Sequence, residues 1–233
     1  MKVGLLLCDD VQDQLQPEHN NYPDMFAALL QQHNPALQLV TYRVLDSQFP
    51  QSTDECDGWI ISGSRHSVND TFPWIAALEV FVKRLFAEQK KLVGICFGHQ
   101  LIAKALGGSV ILSGKGWGIG VSINRIDEHR PWMQPSLNTL NLLVSHKEQI
   151  EQLPDSGRVI ASSDFCPSYM VEYGDCFLSV QGHPEFTKGY MEALIRSREK
   201  VIPPERVSEG IQSIQLDTHS SVVSQWLLNY LSA

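Results

Sequence analysis

The chain has 233 residues, of which 43% are hydrophobic and 19% charged, a balance typical of a globular α/β protein. Its 18 Lys and Arg residues face 26 Asp and Glu residues, and this net charge of -8 without a basic stripe argues against nucleic acid as a partner. No run approaches the roughly 20 apolar residues of a membrane span, and the N-terminal apolar run is too short for a signal peptide. We therefore expect a cytoplasmic protein with no membrane partner.

Strand and helix signals alternate over the first part of the chain. Continuous apolar runs predict four strands, which lie at residues 3–8, 37–44, 58–64 and 91–96. Helical patterns begin at Pro23 and at Pro73, and a third covers residues 99–106 and ends at Gly107-Gly108. Apolar strands connected by helices predict a mostly parallel sheet that is covered on both faces.

The pattern changes after the two glycines. Short strand-like runs separated by turns predict a small antiparallel elaboration, inserted as a layer at residues 109–181. Helices are expected again at residues 188–198, after Pro203-Pro204 and at 221–231. Since no linker or low-complexity segment interrupts the chain, we predict a single domain over residues 1–233. Its core covers about 1–190, and the C-terminal helices cover about 187–233.

The segment GICFGHQ, at residues 94–100, places Cys96 between a predicted strand and a predicted helix. The spacing G-x-C-x-G is that of a nucleophile elbow, in which small neighbours let the backbone pass closely at a sharp turn. The helix that follows directs backbone N–H groups and the positive end of its dipole toward the turn, which favours the reactive thiolate. The alternative is a buried structural thiol, because free cysteine is among the most buried residue types.

A second motif, at the end of the strand-like run SVQ, supplies the groups that a cysteine nucleophile needs. Here His183, Pro184 and Glu185 follow in sequence, and residues two apart in an extended segment point the same way. The imidazole and the carboxylate can therefore lie side by side, with Glu185 orienting the ring of His183. A solvated surface turn is the alternative for this tripeptide, but two such motifs at two strand ends favour a catalytic site.

Together these segments resemble the class I (triad) glutamine amidotransferase family, whose pattern is a G-x-C-x-G-x-Q elbow followed late by H-P-E. A glycine-rich turn and an S-H pair of that family match ISGS at 61–64 and VSHKEQ at 144–149. Within the family, the chain is similar to the amidotransferase domain of GMP synthase and to plant γ-glutamyl peptidases. The resemblance implies a three-layer, flavodoxin-like fold.

The same resemblance implies a reaction on the γ-amide of glutamine or of another γ-glutamyl small molecule. Cys96 is the expected nucleophile that forms a γ-glutamyl thioester, His183 the base and then the acid, and Glu185 the carboxylate that orients His183. No metal and no cofactor are expected for this chemistry.

Further residues of the family pattern have implied roles in holding the substrate. Backbone N–H groups are expected to form the oxyanion hole, and they belong to Gly63, Ser64 and Phe97. Three side chains match positions that hold the amino-acid end of the substrate, and these are Gln100, Ser145 and His146. His66 follows the turn at Gly63 and could reach the same cleft.

Two departures from the family pattern leave the substrate open. Where the GMP synthase type has S-H-G-D, this chain has SHKE at residues 145–148, and no synthetase domain follows the H-P-E motif. One interpretation is a free-standing glutaminase or an amidotransferase that passes ammonia to a separate synthetase subunit. A second is a γ-glutamyl peptidase that acts without a partner. A third is a catalytically silent binding module, which has no need of all three of Cys96, His183 and Glu185.

Overall fold

A computed structural model describes residues 1–233 as an α/β structure built on a nine-stranded sheet. The strands are β1 (Lys2–Leu6), β2 (Gln38–Tyr42), β3 (Gly58–Ile61), β4 (Leu92–Ile95), β5 (Ser109–Leu112), β6 (Gly118–Ile126), β7 (Thr139–His146), β8 (Glu148–Gln152), β9 (Gly157–Ser162), β10 (Met170–Tyr173) and β11 (Phe177–Val180). Their order in the main sheet is β2-β1-β3-β4-β11-β10-β9-β6-β7, and β5 and β8 pair separately. The strands from β2 to β11 in this order are parallel, and those beyond β11 are antiparallel.

Helices cover both faces of the sheet, as the continuous apolar strands predict. They are α1 (Gln16–His19), α2 (Tyr22–Gln31), α3 (Pro73–Ala87), α4 (Phe97–Ala105), α5 (Lys188–Ser197), α6 (Pro204–Ser213) and α7 (Ser220–Leu231). Alternate residues of one strand serve opposite sides: Leu5 of β1 packs in the cluster with α2, α5 and α7, and Leu6 packs in the cluster with α3 and α4. The predicted three-layer fold class is therefore confirmed.

The antiparallel part differs from the expected separate layer. Strands β6, β7, β9 and β10 extend the main sheet beyond β11, since β10 and β11 form a hairpin in which Met170 pairs with Val180. Only β5 and β8 lie outside the main sheet, where they pair with each other in antiparallel orientation. The physical reason is that β11 has one parallel and one antiparallel neighbour, so the sheet continues across it without an edge.

The predicted C-terminal helices are present and complete the side of the sheet that faces α2. Trp226 of α7 is fully buried, and its indole N–H donates to the carbonyl oxygen of Pro135 at 2.9 Å. Gly210 lets α6 approach β6 closely, because a Cβ at that position would lie 3.0 Å from Ile119. None of these helices, nor any other in the structure, has the length and apolar character needed to cross a membrane.

Candidate functional site

The candidate site lies where the carboxyl ends of β1, β3, β4 and β11 meet, the edge at which open α/β sheets bind ligands. A cavity of about 620 Å³ opens at this edge. Six of the residues expected from the sequence line it, and they are Ser64, Cys96, Phe97, Gln100, Ser145 and His146. His183 and Glu185 are buried residues outside the lining, and Gly63 contacts His183.

Cys96 occupies a strained turn between β4 and α4. Its φ of 51° and ψ of -96° lie in a region that residues with a side chain rarely adopt, and its side chain is largely buried at the cavity wall. Glycines on both sides permit the turn. A Cβ on Gly94 would lie 2.6 Å from the carbonyl oxygen of Gly98, and one on Gly98 would lie 2.7 Å from that of Ile61.

This close packing predicts that Gly94→Ala destabilises the fold. The added methyl group meets the backbone of Gly98 as well as the side chain of Ile102, and the backbone cannot move aside cheaply. We therefore expect a loss of about 1–3 kcal/mol in the free energy of unfolding. Gly114→Ala is the matched control, because nothing lies within 4 Å of its Cβ position. Urea unfolding of both variants checks this, and equal stability of the two would contradict the assigned packing.

His183 and Glu185 form a buried pair at the end of β11. The Nδ1–H of His183 donates to Oε1 of Glu185 at 2.7 Å, and the imidazole stacks on Phe186 with a centroid distance of 3.9 Å. The backbone N–H of His183 donates to the carbonyl oxygen of Leu143 at 2.8 Å, which ties this segment to β7. Gly63 allows the ring to approach the turn after β3 closely, because a Cβ there would lie 2.7 Å from Cε1 of His183.

The charge of this pair follows from its surroundings. Burial by itself lowers the pKa of His183, but the negative charge of Glu185 and the neighbouring Cys96 outweigh burial and raise the pKa to about 10. The raised pKa favours the protonated form of His183 at neutral pH, beside Cys96 and Glu185. His146 differs, because burial lowers its pKa to about 4 and its Nδ1–H donates to the carbonyl oxygen of Glu148 at 3.1 Å.

A pair of glutamines connects the thiol to the opposite wall. The amide nitrogen of Gln181 lies 3.5 Å from Sγ of Cys96, and Oε1 of Gln181 accepts a hydrogen bond from Gln100 at 3.0 Å. Gln100 also donates to the carbonyl oxygen of Glu148 at 2.8 Å. Both amide hydrogens of Gln100 are thus used within the protein, and its oxygen remains as the group that can accept a hydrogen bond from a substrate.

The turn after β3 presents free backbone donors beside the cavity. It is anchored to the end of β1, because Ser64 Oγ donates to the carbonyl oxygen of Cys8 at 3.0 Å and the N–H of Arg65 donates to Asp9 at 2.7 Å. The N–H groups of Gly63 and Ser64 have no acceptor in the protein, and that of Phe97 begins α4 without an intrahelical acceptor. Ser64 is absent from the residues with positive φ, so serine is accommodated there without strain.

The opposite wall carries charge that sequence reasoning did not assign to the site. The guanidinium of Arg198 donates to Oγ of Ser145 at 2.7 Å, and Lys147 and Glu148 also line the cavity. His66 lines the cavity as well, with its Nδ1 at 3.7 Å from Asp70. No group of three or more His, Cys, Asp or Glu side chains is arranged to hold a metal ion.

Two residues in contact with the predicted site were missed, for different reasons. Gln181 stands two positions before His183 in the same extended segment, and this period of two is a signal that could have identified it. Arg198 follows α5, more than 50 residues from Ser145, and no local pattern indicates their contact. Its place depends on how α5 packs against the sheet.

Comparison with known proteins agrees with the α/β fold. Residues 20–199 match the family described as glutamine amidotransferase class-I, and the chain therefore belongs to this family of enzymes. The chain is 34% identical to γ-glutamyl peptidase 3 of Arabidopsis thaliana over 155 residues, which make up 63% of this chain and 62% of that protein. It thus matches less than two thirds of that relative's length.

Two further similarities concern the amidotransferase domain and the fold. The chain is 33% identical over 139 residues to the glutamine-hydrolyzing GMP synthase of Aromatoleum aromaticum, covering 56% of this chain and 26% of that protein. The crystal structure of a glutamine amidotransferase from Thermotoga maritima superposes with a TM-score of 0.76 at 16% identity, covering 99% of this chain and 96% of that one. This last likeness concerns the fold, which it shares with class I glutamine amidotransferases.

Proposed function

We propose that this chain hydrolyses the γ-amide bond of a γ-glutamyl compound, with Cys96 as the nucleophile. The observation that carries the proposal is the contact of the Cys96 turn with a buried imidazole that is hydrogen-bonded to a carboxylate at 2.7 Å. A thiol at the start of a helix with a histidine beside it has the surroundings typical of a cysteine nucleophile. The family match and the similarity to a γ-glutamyl peptidase support the same bond as the target.

In the first half of the proposed reaction, the thiolate of Cys96 attacks the γ-carbonyl carbon and forms an S–C bond. The negative oxygen of the tetrahedral intermediate accepts hydrogen bonds from the free N–H groups of Gly63, Ser64 and Phe97, a stabilisation worth about 3–4 kcal/mol for each donor. His183 then gives its proton to the departing nitrogen, and the C–N bond breaks. The products of this half are a γ-glutamyl thioester and a free amine or ammonia.

In the second half, water attacks the thioester carbon. His183, now neutral, accepts a proton from the water, and the second tetrahedral intermediate expels the thiolate. Free glutamate leaves, and His183 is again protonated beside Cys96. Glu185 keeps the ring oriented through both halves, because its hydrogen bond to Nδ1 leaves only Nε2 free to exchange protons.

A second candidate function is that of an amidotransferase subunit, which the similarity to GMP synthase favours. In that case the γ-amide of glutamine is cleaved and the ammonia is passed to a separate synthetase. The site chemistry is the same, and the two candidates differ in the leaving group and in the need for a partner.

A panel of substrates tests both candidates. The purified chain is incubated with glutamine and with γ-glutamyl dipeptides, and the released amine or ammonia is measured. We expect cleavage of γ-glutamyl dipeptides without any added protein. Slow release of ammonia from glutamine as the sole activity would favour the amidotransferase subunit, and no cleavage together with an ordinary alkylation rate at Cys96 would favour a silent binding module.

A further inference from the structure

The cavity contains three charged groups without an oppositely charged protein partner. Arg65 is paired with Asp9 at 2.9 Å, whereas Lys147, Arg198 and Glu148 form no ion pair within the protein. Arg198 is half-buried and hydrogen-bonded only to a hydroxyl, that of Ser145, and Lys147 is exposed at the cavity wall. Cations of a binding cavity that lack a protein partner are available for anionic groups of a ligand.

The environment of these groups separates their roles. The carboxylate of Glu148 accepts a hydrogen bond from Ser67 at 2.9 Å, which holds it in place without neutralising it. Together with the free amide oxygen of Gln100, it forms an acceptor set for an ammonium group. Arg198 has a fixed orientation because of its bond to Ser145, and a planar guanidinium suits a carboxylate.

A comparison of charges then distinguishes the substrates. The amino-acid end of any γ-glutamyl compound carries one ammonium and one carboxylate, which Glu148 and Arg198 can match. Free glutamine has no further charge and leaves Lys147 without a partner. A γ-glutamyl peptide with a free C-terminus carries a second carboxylate on the leaving amine. This carboxylate can serve as the oppositely charged partner of Lys147.

We infer that the cavity recognises two carboxylates, with Arg198 binding that of the glutamyl unit and Lys147 binding that of the leaving group. The inference rests on the proposed function and makes it more specific. The substrate class is a γ-glutamyl amino acid or peptide with a free C-terminal carboxylate. Lys147 is accordingly a specificity-determining residue in the stretch SHKE, where the GMP synthase type has glycine.

The experiment compares γ-glutamylglycine with its C-terminal amide. Binding is measured calorimetrically in the Cys96→Ala background, where no turnover occurs, and kcat/KM is measured in the unmodified chain. We expect the acid to bind about five- to tenfold more tightly than the amide, and Lys147→Gln to bring this ratio close to one. Lys83→Gln is the matched control, because Lys83 is exposed on α3, outside the cavity lining, and forms no ion pair.

Arg198→Gln distinguishes the two carboxylates. The substitution is expected to weaken the binding of γ-glutamylglycine and of its amide equally, by about tenfold or more, because both compounds retain the glutamyl carboxylate. The analogue γ-aminobutyrylglycine lacks that carboxylate, and its binding should be weak and not reduced further by this substitution. A general structural effect of Arg198→Gln would instead reduce binding of all three compounds.

Two results would overturn the inference. Equal binding of acid and amide in the Cys96→Ala background would show that no second carboxylate is recognised. If Lys147→Gln still binds the acid more tightly than the amide by the same ratio, another group recognises the second carboxylate. Failure of the unmodified chain to cleave any of these compounds would instead contradict the proposed function, and the binding measurements would still decide the inference.

Discussion

Cys96→Ala is expected to lower kcat/KM for γ-glutamyl substrates by at least about 10⁴-fold, because no other group at the site can form the thioester. The overall fold should be retained, since the substitution removes only the Sγ atom of a side chain at the cavity wall. Circular dichroism and thermal unfolding check the fold, and amine release checks the activity. The strained φ of 51° is expected to persist, because the substitution leaves the close packing at Gly94 and Gly98 unchanged.

A matched cysteine separates loss of the nucleophile from loss of a core thiol. Cys176→Ala removes another buried thiol, which does not line the cavity, and should leave kcat/KM within about twofold of the unmodified chain. An electrophilic chloroketone analogue of glutamine should add once, at Cys96, although the chain has five free cysteines. Substantial hydrolysis by Cys96→Ala would refute the assignment of the nucleophile.

The sequence is informative about this turn because its geometry is determined locally. A nucleophile between two glycines, after an apolar strand and before a helix, specifies a sharp turn without reference to distant residues. The structure gives the physical reason for both glycines, since either Cβ would meet a backbone carbonyl oxygen. Parallel strand order then brings the end of β11, with His183, next to the end of β4.

The charged wall opposite Cys96 could not be read from the sequence in the same way. Lys147 and Glu148 were visible as a departure from the family pattern, but their orientation into the cavity depends on the turn between β7 and β8. Strand β8 itself pairs outside the main sheet, with β5. Arg198, which follows α5, reaches Ser145 at the end of β7, and this contact is set by tertiary packing.

The antiparallel strands show a related limit of sequence reasoning. Short strand-like runs separated by turns predicted strands after residue 108, but the pattern of a strand does not determine which neighbour it pairs with. The pairing depends on the hairpin of β10 and β11. Because β11 also pairs in parallel with β4, the strands that follow β10 in the sheet order become part of the main sheet. As a result, His183 stands at the junction between the two halves of one sheet, and its N–H contacts Leu143 of β7.

Glu185 lies in a buried position where a substituted side chain has few ways to form hydrogen bonds. Its side chain is fully buried, Oε1 accepts from His183, and Oε2 has no hydrogen-bond partner. A glutamine at this position must either bury an unsatisfied amide hydrogen or turn that amide toward Nδ1 of His183. The second orientation forces the histidine into the other tautomer, and both remove the negative charge that raises its pKa.

Glu185→Gln is therefore expected to lower kcat by about 10²- to 10⁴-fold while the affinity for substrate changes little. Stability should respond to pH in a defined direction. Because the pKa of His183 is raised from 6.5 to about 10, its contribution to stability is complete below pH 6.5 and is lost as pH rises toward 10. Glu185→Gln lacks most of this contribution. The difference in Tm between the unmodified chain and the variant should therefore become smaller as pH rises from 6.5 toward 10.

Glu205→Gln is the control for this experiment, because Glu205 is exposed in the first turn of α6 and forms no ion pair. Its Tm should differ from that of the unmodified chain by a small and pH-independent amount. Thermal unfolding from pH 6 to pH 10 measures all three proteins. If the difference in Tm between the unmodified chain and Glu185→Gln instead widens toward alkaline pH, His183 is neutral in the folded protein. Cys96 would then lack the protonated neighbour on which the proposed first step depends.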